Sequence, residues 1–256
     1  MKGRDTWNLG QYEKFRNERS QPFFDLLKLV DLPKGGRAID LGCGPGAMTL
    51  LLHSQGAFAE TVGIDNSENM LAKVPSAPGL SFRNADILEF EGDEEWDLIT
   101  SNAALQWVPD HGSLFRKMHR ALKSGGQIVH QIPNNGSHPS QSVAYELESD
   151  PRFSHYAPNK IDSNVLSPEG YAEFLDTLGL EDINVFLKVY MHHLEDRTAV
   201  IEWVRGTFLT HYEREMNAED FAEFMAAYSS RLLSILPDQK PFLFTFRRLF
   251  ISARKP

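Results

Sequence analysis

The residues with the clearest chemical potential are two aspartates on either side of a glycine turn. Asp40 stands just before Gly42, Gly44 and Gly46, and Asp65 comes later, at the end of a second apolar run. Ala38-Ile39-Asp40-Leu41 reads as a short buried strand, and Ala47 to Leu52 is a good helix former. Strand, glycine turn and helix N-terminus bring backbone N–H groups against a ligand in α/β folds. A dinucleotide-binding turn has its third glycine one place later and must accept an anionic pyrophosphate. Here the spacing is Gly-x-Gly-x-Gly, and the Asp40 carboxylate would repel phosphate. It suits a ligand carrying positive charge.

S-adenosylmethionine is such a ligand, with an ammonium, a sulfonium and no phosphate. Asp65 ends Thr61-Val62-Gly63-Ile64-Asp65, about 20 residues past the turn, where nucleoside sites place a carboxylate on the ribose hydroxyls. The plainer role for Asp65 is a helix N-cap, which Asn66 or Ser67 would fill equally well. Asp86-Ile87 follows a predicted strand, Leu80 to Asn84. An acid followed by an apolar residue can read adenine, the carboxylate accepting from the amino group and Ile87 lying against the ring. Asn102 follows another strand, Glu95 to Ser101. Asp40, Asp65, Asp86 and Asn102 thus share one rim of a predicted sheet.

The elements that must position these residues follow from periodicity. Tyr12 to Arg19 and Pro22 to Val30 carry helical spacing, broken near Pro22. Residues 1–30 are expected to form a helical lid, with Phe15, Phe23, Leu26 and Leu27 packing and Tyr12 and Arg19 near the ligand. Ser67 to Val74 reads as a short capped helix. Asp110 to Leu122 reads as a helix whose Leu114, Phe115, Met118 and Leu122 face a core, stopped by Lys123-Ser124-Gly125-Gly126. Gln127 to Ile132 is a fifth strand, in which His130 reads as a satisfied strand histidine. Repeated strand–helix units imply a doubly wound, mostly parallel sheet that binds ligands at the strands' carboxyl ends.

Past Pro133 the composition turns polar, with little periodicity up to Ser167. Ser167-Pro168 opens a helix as cap and first-turn proline. Ile183 to Met191 and Phe242 to Arg254 read as strands separated by helices that include Ala199 to Val204 and Ala218 to Leu236. A single α/β domain is expected, with an antiparallel C-terminal strand and 134–167 and 195–240 inserted as a cap over a substrate site.

The 256-residue chain carries a formal net charge of −9, and no basic run supports nucleic-acid binding. Any site for an anion must therefore be local and cationic. No apolar stretch is long enough to span a bilayer. The polar N-terminus lacks a signal-peptide core, so a cytoplasmic protein is expected. The one cysteine, Cys43, reads as a small spacer in a crowded turn rather than a nucleophile. His192-His193 sits on a strand, where neighbours point to opposite faces, so no metal site is expected.

These motifs resemble the Rossmann-like class I S-adenosylmethionine-dependent methyltransferases and, more narrowly, the trans-aconitate 2-methyltransferases among them. The resemblance rests on Tyr12…Phe15…Glu18-Arg19-Ser20…Pro22, Asp40-Leu41-Gly42-Cys43-Gly44-Pro45-Gly46, Gly63-Ile64-Asp65, Asn102-Ala103, Leu105-Gln106-Trp107-Val108-Pro109-Asp110-His111 and Arg248-Leu249-Phe250. It implies ribose on Asp65, adenine at Asp86, and the methionine part near Asp40, Gly42 and Asn102. Gly44, Asn66, Met70, Ile87 and Trp107 join that cofactor set, with Tyr12 and Arg19. It also implies methyl-ester formation on a small polycarboxylic acid; separately, a monomer is expected. No catalytic acid or base is expected, because a carboxylate is already ionised at neutral pH. Tyr190, His192, Trp203, Arg205 and Arg248 are the expected acceptor residues. The chain departs from the family's pattern at Gln21, where arginine is usual. It departs again at Asn134, within Pro133-Asn134-Asn135 in place of Pro-Asp-Asn. Thr210 lies in Phe208-Leu209-Thr210-His211, in place of Gly-Leu-Arg-Pro.

Overall fold

The computed structural model describes residues 16–32, 34–156 and 164–256, with side chains described from Gln21 onward. The strands are β1 (Arg37–Leu41), β2 (Glu60–Asp65), β3 (Leu80–Asn84), β4 (Trp96–Asn102), β5 (Leu122–Pro133), β6 (Glu181–Leu194) and β7 (Phe242–Arg254). They form one sheet in the order β3-β2-β1-β4-β5-β7-β6. The β3–β2, β2–β1, β1–β4 and β4–β5 pairs are parallel, and β7 runs antiparallel to β5. The strand order reverses between β1 and β4, the switch point at which such sheets open a ligand crevice.

The helices are α1 (Arg16–Leu27), α2 (Ala47–Gly56), α3 (Glu68–Leu71), α4 (His111–Ala121), α5 (Pro139–Leu147), α6 (Pro168–Thr177), α7 (Ala199–Arg205), α8 (Thr210–Glu215) and α9 (Ala218–Ile235). The chain forms two compact units. One holds Arg19–Pro133, Asn164–Lys188 and Arg248–Pro256; the other holds the described residues of Asn134–Ser163 and Val189–Arg247. The core of the first is built from Ile39, Val62, Ile99, Ile128 and Ile251 of the sheet with Leu114, Phe115 and Met118 of α4 and Tyr171 and Leu175 of α6. The second is held by aromatic packing. Tyr212 stacks on Phe224, Phe153 meets Phe224 edge-on, and the Tyr228 hydroxyl donates to the Ser140 carbonyl at 2.7 Å.

Three local expectations are corrected. Pro22 does not break the N-terminal helix; it lies inside α1, whose Phe23 and Leu26 are buried beyond it. Burial of that apolar pair outweighs the hydrogen bond the proline cannot make. Gly125 and Gly126 do not stop α4. The helix ends when the Leu122 amide bonds to Met118, and the glycines lie within β5, where the register slips between Trp96 and Leu98 of β4. A β-carbon on Gly126 would meet the Lys123 and Trp96 carbonyls at 2.9 and 3.0 Å, so the bulge requires glycine there. The polar stretch after Pro133 is not featureless, because α5 forms there with the His138 ring accepting from the Ser140 amide and Pro139 in its first turn.

Gly42 has φ +77°, and a β-carbon on it would stand 2.2 Å from that of Ala104. Gly42→Ala is therefore expected to destabilise the fold by about 2–4 kcal/mol, combining left-handed backbone strain with overpacking. Chemical denaturation checks this against Gly35→Ala, where φ is +91° but no atom lies within 4 Å.

Candidate functional site

At the switch point, the chain leaves β1 and crosses toward β2. The amides of Gly42 and Cys43 both donate to the Ile64 carbonyl, at 2.8 and 2.9 Å. Asp65, the last residue of β2, closes the turn from the other side. Its carboxylate accepts from the Gly44 amide at 2.9 Å and from the Ser67 amide at 2.9 Å. The cap of α3 is Ser67, whose hydroxyl accepts from the Met70 amide. Asp65 is thus free of the capping role and spans turn and helix. Met70 itself is buried, whereas Asn66 is exposed and donates to Asp86 at 3.2 Å.

Asp40 lies one residue before the end of β1 and is 5% exposed. The buried Thr49 hydroxyl donates to it at 2.7 Å. Burial pushes its carboxyl up to about 6; the Thr49 bond opposes this and the charge of Asp65 adds to it. Two carboxylates that feel each other form a field that attracts a cation and repels a pyrophosphate. Cys43 is buried beside them, and burial with both acidic charges pushes its thiol up, which keeps it protonated.

Asp86 follows β3 by two residues. It accepts from the Leu88 amide at 2.9 Å and caps the single turn Ile87–Glu89. Ile87, half-buried, packs against the core and within 3.3 Å of a β-carbon built on Gly42. Asn102 ends β4 in register with Gln131 of β5. Among the described residues, its buried Oδ1 has no hydrogen-bond partner. Asp40, Gly42, Gly44, Asp65, Asn66, Met70, Asp86, Ile87, Asn102 and Trp107 all fall within the first unit. Tyr12 and the side chain of Arg19 lie outside the described residues.

The run from Leu105 to His111 gains a structural role that the sequence did not disclose. His111 is buried, with Nε2 against the Leu105 carbonyl at 2.9 Å and Nδ1 against the Tyr171 hydroxyl. A carbonyl only accepts, so Nε2 carries the proton and Nδ1 accepts from tyrosine. Burial lowers the His111 pKa, which favours this neutral form. Asp110 caps α4 by accepting from the Ser113 amide at 2.8 Å. Gln106 donates to the Ala103 carbonyl at 2.8 Å. Together these bonds fix the loop that carries Asn102 and Trp107. Tyr171 is 60 residues from His111, and no local pattern pairs them. His130 is not the satisfied strand histidine expected: among the described residues neither ring nitrogen has a hydrogen-bond partner. It lies edge-on to Phe115, and burial pushes it down to about 3, so it stays neutral.

Of the expected acceptor residues, Tyr190, His192 and Trp203 are buried in the second unit. The His192 and Trp203 rings lie 4.8 Å apart, and Trp203 packs edge-on against Phe244. Arg205, also in that unit, is exposed at the C-terminal end of α7. Arg248 belongs to the first unit, is 7% exposed, and is the register partner of Pro133. His192 is buried while His193 is exposed. Among the described residues, no three His, Cys, Asp or Glu side chains are grouped to hold a metal ion.

A parallel sheet with a glycine turn at its switch point and acidic residues at its strand ends is the arrangement of a Rossmann-like nucleoside-binding protein. The chain belongs to the methyltransferase domain family, whose model matches residues 12–185. It is 37% identical over 256 residues to the trans-aconitate 2-methyltransferase of Deinococcus radiodurans, covering 97% of this chain and 98% of that one. It is likewise 37% identical to the trans-aconitate 2-methyltransferase of Rhizobium rhizogenes, covering 98% and 99% of the two chains. Among solved structures, the YcgJ protein of Bacillus subtilis shares the fold, with a TM-score of 0.60 at 14% identity over 91% of this chain and 97% of that one. Phosphoethanolamine N-methyltransferase 2 of Haemonchus contortus, solved with S-adenosyl-L-methionine, gives 0.57 at 20% identity over 93% of this chain. This chain spans 52% of that larger protein. The chain is thus an S-adenosylmethionine-dependent methyltransferase acting on a small molecule.

The rim fits that donor. A β-carbon on Gly44 would meet no atom within 4 Å, so the turn is open on that side. Asp40 and Asp65 suit a cationic nucleoside, and the orphan Asn102 Oδ1 can accept from its ammonium. Asp65→Ala is expected to weaken donor binding by roughly 2–4 kcal/mol, the loss of charge-assisted bonds, as read by calorimetry. Asp40 predicts a pH dependence. Its folded pKa, about 6, lies above the ordinary 3.8, so its contribution to stability grows as pH falls through that window and is lost as pH rises. A cationic donor needs the ionised form, so donor affinity should fall over the same range. Asp40→Asn should flatten both trends when compared with the parent.

Proposed function

We propose that this methyltransferase esterifies a small polycarboxylic acid, with trans-aconitate the first acceptor to test. The observation that carries this reading is the set of curated trans-aconitate 2-methyltransferases, 35–37% identical over nearly the full length of both chains. When bound, S-adenosylmethionine supplies an electrophilic methyl group; the acceptor oxygen gains the O–C bond as the C–S bond breaks, and the electron pair stays on sulfur. No proton moves, so the protein needs no general base. Its work is to align the acceptor and exclude water.

A carboxylate leaving water must find compensating partners. Arg248 is the buried arginine among the expected acceptor residues, while Arg205 is exposed, which favours Arg248 as the fork for a non-reacting carboxylate. The buried Tyr190, His192 and Trp203 would shape the rest of the acceptor's surroundings. Of the expected 1–30 lid, residues 1–15 lie outside the described residues; we assign the described residues of 134–167 with 195–240 as an inserted cap that supplies acceptor groups. We further propose a cytoplasmic monomer with neither nucleic-acid nor membrane partners. The net charge of −9 supports the first of these exclusions. Among the described residues, no helix is long and apolar enough to cross a membrane.

The departures at Gln21, Asn134 and Thr210 favour testing neighbouring acids as well. Gln21 is exposed and bonds within its helix to Asp25, and Thr210 bonds back to the Thr207 carbonyl. A second reading, a hydroxyl or other small-acid acceptor, is separated from the first by one panel. Labelled donor and mono-, di- and tricarboxylates are incubated beside neutral hydroxyl compounds, and methyl esters are identified by mass spectrometry. Arg248→Met is expected to cost about 2–5 kcal/mol in kcat/KM for polycarboxylates. Arg205→Met should stay near the parent. Preference for the hydroxyl compounds throughout would replace the carboxylate reading.

A further inference from the structure

Two amide side chains stand side by side on the sheet face that carries Asp40. Asp40 is in register with Thr100, and Asn102 lies two residues further along β4, on the same face. Gln131 is in register with Asn102 and so shares that face. Gln131 is 1% exposed, and among the described residues neither its Oε1 nor its Nε2 has a hydrogen-bond partner. An amide buried in this way destabilises the unit unless something bonds to it. A methionine would occupy similar volume at no such cost, so packing does not account for the residue.

The order of strands says what Gln131 meets. Asp65 and Asp86 stand at β2 and just past β3, where the nucleoside end belongs. Asp40 and Asn102 stand at β1 and β4, where the amino-acid end belongs. Gln131 is one strand further from the nucleoside. Beyond it Phe250 of β7 is its register partner, and Phe250 stacks on Phe186 with ring centroids 5.1 Å apart. The row therefore runs from acids through neutral amides to an apolar wall.

We propose that Gln131 binds the reacting carboxylate of the acceptor, its Nε2–H donating to one oxygen while the other faces the methyl group. This rests on the carboxylic-acid reading above. A neutral donor suits the reacting carboxylate: it orients the group without drawing off the electron pair that forms the new bond, as a full positive charge would.

The test uses the full-length enzyme, Gln131→Met and Gln131→Asn, with the acid that the wild type esterifies. Gln131→Met removes orphan polar atoms, so its melting temperature should match or exceed the parent's, and calorimetry should show S-adenosylhomocysteine bound as by the parent. Its acceptor KM should rise about 10- to 100-fold, the equivalent of one lost hydrogen bond to a charged group. Gln131→Asn keeps the amide but falls short by one methylene, and should show an intermediate rise. A parental acceptor KM in both variants, while the wild type esterifies acids, overturns the assignment of Gln131 alone. Weakened S-adenosylhomocysteine binding that matches the change in KM overturns it too, by placing the amide on the donor. A wild type that methylates only hydroxyl acceptors overturns both this assignment and the reading beneath it.

Discussion

The glycine turn depends on a single acceptor: the Ile64 carbonyl, which takes the amides of both Gly42 and Cys43. That pair of bonds carries the chain off β1 toward β2 while β4 departs on the other side. The reversal opens the crevice, and it is possible only because Gly42 lacks a β-carbon where Ala104 packs. The Asp65 carboxylate then ties the turn to α3 through the Gly44 and Ser67 amides. One side chain therefore organises the turn and joins it to the helix that follows.

The electrostatics follow from this geometry. Burying Asp40 beside Asp65 costs stability at neutral pH, and one hydroxyl, from Thr49, offsets part of that cost. A fold has no structural reason to hold two carboxylates in each other's field. A cationic ligand gives the reason, since it satisfies both. The same logic leaves Cys43 inert, because a thiolate between two acids would be a third negative charge. On the opposite face of the sheet the polar groups are neutral. His111 is locked into one tautomer, and His130 stays uncharged against Phe115. Those groups fix a loop and fill space; they carry no charge toward the ligand.

Much of this was legible in the sequence because it is local. The run from Ala38 to Leu52, the strands Leu80–Asn84 and Phe242–Arg254, the Ser167-Pro168 helix start and the rim of Asp40, Asp65, Asp86 and Asn102 are all written in consecutive residues. What escaped is long-range or is decided by burial. Pro22 reads as a breaker until Phe23 and Leu26 are seen in the core. Gly125-Gly126 reads as a helix stop until the β4–β5 slip calls for a bulge. The helix Pro139–Leu147 escaped because its anchors, such as Tyr228 bonding to the Ser140 carbonyl, lie 88 residues away. His111 and Gln131 escaped for the same reason. Their types are ordinary, and only their partners, Tyr171 for one and none for the other among the described residues, reveal what they do.

The contrast between arginine and amide bears on specificity. Arg248 and Gln131 lie on adjacent antiparallel strands, and Gln131 pairs with Phe250, two residues from Arg248. A guanidinium is best matched to a carboxylate that remains charged throughout the reaction, because its attraction is undiminished in the transition state. The reacting carboxylate loses its charge as the ester forms, so a cation placed on it would stabilise the ground state more than the transition state. A neutral amide forfeits much less as that charge disappears. An acceptor with a single carboxylate would engage only the amide, and one with two or more would engage both. On the proposed reading, selection for polycarboxylates would follow from dividing charged and neutral donors between oxygens that keep their charge and oxygens that lose it. No acid–base residue is required.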